Sequence, residues 1–152
     1  MGYPSIFEPT VTEQLVERVN RLCPETQPEW GKMNAGQMLA HCNVVYNQTF
    51  GDQSGRPNRL VRWIMAKLLK PTVVGPKPYT KNMRTAPAFL ITDERDFARE
   101  QASLIGHLRE VVNQGAGKFE GRQSFSFGPL TAEEWSVLFY KHLDHHLRQF
   151  GV

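Results

Sequence analysis

The closing stretch of the chain, TAEEWSVLFYKHLDHHLRQFGV over Thr131–Val152, constrains the fold more than any other. Thr131 followed three residues later by Glu134 is a capping box, in which each side chain answers the other's free backbone N–H. Leu130 before the cap and Trp135 inside the first turn form a hydrophobic staple, so the helix entry is defined. At about 100° per residue, Trp135, Leu138, Phe139, His142, His146 and Gln149 share about a quarter turn of the surface. This stripe begins apolar and continues as His, His and Gln without rotating toward solvent. Such a helix must pack against others, and its polar half needs partners inside, because unsatisfied buried polar groups cost about 1–3 kcal/mol each.

Two imidazoles at i and i+4 on a buried stripe present their nitrogens to one point, as two ligands of a first-row divalent metal do. His145 lies about 60° off the line through His142 and is the alternative to either member of the pair. His142 and His146 are preferred because they bracket the direction of Trp135. Satisfied structural histidines are the competing reading.

The chain has 152 residues, of which 40% are hydrophobic, enough for one domain spanning 1–152 with its own core. No run approaches the ~18 uncharged apolar residues of a membrane span. The opening MGYPSIFEPT lacks the basic and apolar regions of a secretory signal. Two cysteines, Cys23 and Cys42, make no disulfide framework and fit a reducing cytoplasm. A net charge of +3 says little, but its distribution says more: positions 53–92 hold eight Lys or Arg and no Asp or Glu.

Periodicity places a first helix over Thr12–Leu22, ended by Cys23-Pro24. Asn34 with Gln37 repeats the capping-box pattern and opens a second helix that runs to Phe50 and stops at Gly51. Its central stripe is Met38, Cys42, Val45 and Thr49. His41 flanks that stripe, and reads alone as a core or boundary histidine. With the pair on the last helix it becomes the third ligand. Arg59–Lys70 is a basic amphipathic helix terminated by Pro71. Residues 71–87 hold too many prolines for a regular helix, and are read as a lid or, more simply, a packed crossover. A short extended piece follows at Phe89–Ile91. Thr92 or Asp93 caps a long helix to Gln114 with Phe97, Leu104, Leu108 and Val111 or Val112 as its seam; His107 lies near that seam and is not expected to be a ligand. Lys118–Pro129 reads as a connecting loop whose Phe119, Phe125 and Phe127 tuck against the helices.

The blocks WGKMNAGQMLAHC, KNMRTAPAFLITDERDF, FGPLTAEEW and YKHLDHHLRQFGV are similar to signature blocks of a domain-of-unknown-function branch of the DinB-like superfamily. The resemblance covers about Trp30–Val152. It implies an all-α fold: a four-helix bundle in up-down-down-up order, here with an extra short helix and a long loop after the second helix. It also implies a divalent metal, zinc or nickel, held by His41, His142 and His146, the residues the spacing itself selects. Relatives include transferases and an isomerase that use low-molecular-weight thiols, so the resemblance implies a small-molecule substrate and a thiol cofactor.

Three functions are then in play. The first is a metal-dependent enzyme of thiol-transferase or hydrolase type. There, Gln149 and His145 are the catalytic candidates, orienting a ligand or an imidazole, and the basic segment from Arg56 to Arg84 receives the carboxylates of an anionic thiol. The second is a non-catalytic, metal-stabilised module, monomeric or homodimeric, with closed coordination. The third takes Arg59–Lys70 as a contact for a membrane surface or nucleic acid. Against it, Leu60, Ile64 and Leu68 read more simply as core, and no nucleic acid is expected.

Overall fold

The computed structural model describes residues 2–152; Met1, the first position of the opening stretch, lies outside them. Among the described residues the helices are α1 (Pro9–Asn20), α2 (Ala35–Phe50), α3 (Arg59–Leu68), α4 (Lys70–Val74), α5 (Phe97–Gln114) and α6 (Ala132–Gln149). A two-stranded hairpin, β1 (Arg122–Ser124) and β2 (Gly128–Leu130), precedes α6. The chain is therefore mostly helical.

Both capping boxes form as the sequence dictates. Asn34 Oδ1 accepts from the Gln37 N–H at 2.8 Å while the Asn34 N–H donates to Gln37 Oε1 at 3.0 Å. Thr131 and Glu134 do the same at the start of α6, at 3.1 and 3.0 Å. These two helices carry the histidines, so their start positions set which side chains meet.

α2 packs against α5, α5 against α1, and α6 against both α2 and α1. The cluster they enclose includes Met38, Cys42, Val45, Leu104, Leu108, Val111, Trp135 and Phe139, all buried. Tyr46 of α2 stacks on Phe139 of α6 with ring centroids 4.7 Å apart. Phe119, from the segment before the hairpin, is wholly buried and meets Trp135 and Phe139 edge to face. An Arg18–Asp144 ion pair at 2.8 Å ties α1 to α6.

Several boundaries differ from the sequence expectation. α1 begins at Pro9 instead of Thr12 and ends at Asn20 instead of Leu22; proline suits the first turn, where its missing N–H has no helical partner to lose. Pro71 likewise does not end helical structure but sits in the first turn of the short α4. α5 is capped by Asp96, whose Oδ1 accepts from the Arg99 N–H at 3.1 Å, while Asp93 is engaged by Arg95. In place of a strand-like piece at Phe89–Ile91 there is a 3-10 turn over Pro87–Phe89, followed by an extended Leu90. The loop expected over Lys118–Pro129 contains the hairpin. There the Ser124 hydroxyl donates to the Gly128 carbonyl and accepts from the Phe127 N–H, and Gly128 takes a φ of +77° that favours glycine. Leu60, Ile64 and Leu68 are not core; all three are exposed.

The crossover after α3 is packed. Val73 and Val74 rest on the core. The buried Lys141 of α6 reaches across, its Nζ donating to the Thr72 and Gly75 carbonyls at 2.6 and 2.9 Å. A Lys70–Glu134 ion pair at 2.7 Å adds a second tie.

Candidate metal centre

The helices bring His41, His142 and His146 together, as the spacing of residues on α2 and α6 predicts. One ring nitrogen from each lies within 4.8 Å of the others. Ring centroids are separated by 4.9 Å (His41–His142), 4.5 Å (His41–His146) and 4.9 Å (His142–His146), so the imidazoles form a nearly regular triangle. His41 and His146 are buried; His142 is partly accessible.

The outer nitrogens are held by partners that fix which inner nitrogens are free. His41 Nδ1–H donates to the Phe89 carbonyl at 2.8 Å, since a carbonyl only accepts. Gln149 Nε2 donates to the Trp30 carbonyl at 2.7 Å, which leaves its Oε1 as the acceptor for His146 Nδ1–H at 2.8 Å. Both imidazoles therefore turn Nε2 lone pairs inward. His41 Nε2 and His142 Nε2 are 2.9 Å apart, a separation that one shared proton can satisfy. A second inward lone pair, on His146, then still lacks a donor. Neutral donors converging in this way, two of them oriented by a hydrogen bond behind the ring, match the requirements of a divalent cation bound by imidazole.

Electrostatics point the same way. Burial pushes the pKa of His41 down, partly opposed by its bond to Phe89. Burial, then the neighbouring His146, His41 and His145, hold His142 well below the ordinary histidine range. His146 is depressed to about 3, mainly by burial and then by His41, against the opposing bond to Gln149. All three rings are thus neutral at neutral pH and available as ligands.

Gln149 is locked at both ends, so its place is behind His146. Gly31 makes room for it: a Cβ there would lie 2.5 Å from Gln149 Nε2, and its φ of +85° is itself unfavourable for other residues. The Glu29 N–H also donates to the Gln149 carbonyl at 2.7 Å. The loop before α2 thereby clamps the end of α6. Removing this support by Gln149→Leu is expected to weaken metal binding by about 10–100-fold without unfolding the helices. Titration against a competing chelator, beside a far-UV spectrum, checks this.

His145 does not join the triangle. Its ring lies 5.1 Å from that of His146, edge-on, and faces Trp30 at 5.8 Å and Tyr79 at 5.6 Å. These residues line an open cleft of about 450 Å³ that also includes Tyr3, Lys81 and Arg148. Lys81 Nζ sits 4.2 Å over the Trp30 ring. Neither Trp30 nor Tyr79 was singled out from the sequence; both lie in loops without periodicity, and only the tertiary fold brings them to His145. His107 stands apart, hydrogen-bonded to Asn43 at 3.1 Å and stacked on Tyr46. Cys42 is buried against Met38, and burial raises its pKa, so it is no nucleophile.

The basic segment does not act as one surface. Lys81 belongs to the His145 cleft, whereas Arg56, Arg59 and Arg62 line a different cleft against the hairpin, with no residue in common.

Fold and site define a helical protein with three clustered imidazoles, two of them supported from behind by hydrogen bonds, placed to hold a metal ion. The chain belongs to the DUF1569 family, proteins of unknown function, whose model matches residues 8–151 and so includes all three histidines. Comparisons with curated proteins and with solved structures give no match.

Proposed function

We propose that the protein is a metal-dependent enzyme of DinB-like four-helix-bundle type, with His41, His142 and His146 holding a divalent ion, zinc or nickel. The observation that carries this reading is the pair of fixed Nδ1–H donors, on His41 and His146, which turn inward lone pairs toward one point. A divalent ion held there supplies a Lewis acid able to make a thiol or water nucleophilic near neutral pH.

The chain's own residues supply the rest. The Phe89 carbonyl and Gln149 keep two imidazoles oriented. His145 stands between the triangle and the cleft walled by Trp30 and Tyr79, where it can orient or exchange a proton with a bound small molecule. Lys81 at the cleft offers a cation to an anionic substrate, for which a low-molecular-weight thiol carrying carboxylates is the fitting class. Calorimetry with glutathione-like and uncharged thiols tests this on metal-loaded protein. The anionic thiol is expected to bind more tightly, with an advantage that shrinks at high salt and on Lys81→Gln. Because a thiol loses its proton on binding a metal, affinity should also rise with pH until the free thiol ionises.

One observation favours a second reading, a non-catalytic metal-stabilised module: the cleft is not lined by the three histidines themselves. Equal, weak binding of both thiols with no metal dependence selects that reading.

A further inference from the structure

α3 is packed the wrong way round for a helix of a soluble protein. At about 100° per residue, Leu60, Ile64, Leu68 and Val61 fall within an arc of about 100°, and Arg62, Ala66 and Arg59 lie on the opposite side. In the usual arrangement the apolar arc faces the core. Here Arg62 and Ala66 are the partly buried side, set toward the hairpin, while Leu60 and Leu68 are 66% and 70% exposed. Trp63, at the border of the two faces, is 61% exposed. This face is not needed by the metal centre and no element of the chain covers it among the described residues.

The charge that this stretch itself carries is of one sign. Positions 53–92 contain no carboxylate. Arg56, Arg59 and Arg62 line one cleft with Trp63 and Phe127, and the buried Nε atoms of Arg56 and Arg62 have no hydrogen-bond partner. Lys67 lies between Trp63 and the apolar arc in projection, on the same border as Arg59.

We propose that α3 docks this protein on an anionic lipid surface, with Leu60, Ile64 and Leu68 entering the headgroup–acyl boundary and the exposed Arg59 and Lys67 engaging lipid phosphates. An outward apolar arc, a tryptophan and a lysine along one border, and arginines on the polar side are the pattern of an interfacial helix. A second copy of the chain would bring the same cations face to face. A soluble phosphate would account for the arginine cleft but leave the apolar arc in water. A protein partner would have to present an apolar groove with an acidic rim, whereas an anionic bilayer offers both along its whole surface. Nucleic acid would meet exposed leucines in place of the stacking rings it uses.

The test is flotation of the full chain with phosphatidylcholine vesicles, with and without phosphatidylglycerol. Binding is expected only with the anionic lipid, accompanied by a blue shift of fluorescence that Trp63→Phe removes. The exposed positions allow Leu60→Ser, Ile64→Ser and Leu68→Ser together without loss of helix or metal, and this variant should lose binding at least tenfold. Arg59→Gln and Lys67→Gln should each lower it about fivefold, and glycerol phosphate should not compete. Binding that ignores the serine substitutions and is displaced by glycerol phosphate would make the cleft a soluble-anion site and overturn the proposal. So would failure to float with anionic vesicles, or a dimer in lipid-free solution that the serine substitutions dissociate.

Discussion

His142→Ala and His146→Ala are each expected to take bound metal from about one ion per chain to none, since a three-imidazole site that loses one ligand has too few protein donors left. The effect should be specific. Ala at 142 or 146 leaves a small space beside a partly solvated site, so the helices should persist. His145→Ala should keep most of the metal, because His145 faces Trp30 and Tyr79 and not the triangle. His41→Ala should behave like the first two. Metal analysis of the four purified variants, after equal loading and dialysis, decides the matter. Unchanged content in both the 142 and 146 variants would remove the assignment.

A second large effect follows from acid. The folded-state pKa values of His41, His142 and His146 lie below the ordinary 6.5, that of His146 at about 3. The unfolded chain therefore takes up protons first as pH falls. Stability is full above about pH 6.5 and declines below it, until each folded-state pKa is reached. Each imidazole kept neutral costs about 1.4 kcal/mol per pH unit in that window. With two or three such groups, metal-free protein should lose several kcal/mol between about pH 6.5 and pH 4. Metal should raise stability at neutral pH and make its acid loss steeper, because protons then compete with the ion for the same nitrogens. Urea unfolding at a series of pH values, with and without chelator, measures this. A flat profile in the chelated protein would mean that the imidazoles are not held neutral in the fold.

The cluster of three histidines was legible in the sequence because its members sit on two well-capped helices. Capping boxes at Asn34 and Thr131 fixed the phase of α2 and α6, and phase is what a three-point site depends on. Gln149 was visible as the continuation of the buried stripe, but its role behind His146 depends on Trp30 and Gly31, which lie over a hundred positions away in the chain and carry no periodic signal. The hairpin was missed because its strands are three residues long, too short to alternate, and its turn is built by Ser124 and Gly128. The outward face of α3 was misread for a physical reason as well. Periodicity reports that a helix has an apolar side but not what covers it, and for Leu60, Ile64 and Leu68 nothing in the chain does. Pro71 misled in the same way: its effect depends on whether it falls inside a helix or in a first turn.

X-ray absorption at the metal edge of native, metal-loaded protein addresses the central claim most directly. The account predicts a shell of nitrogen or oxygen scatterers at about 2.0–2.1 Å, with the outer-shell signature of imidazole rings, fitted by three histidines and lost in His146→Ala. A shell with sulfur from Cys23 or Cys42, one without imidazole, or protein that takes up no divalent ion at all would contradict it.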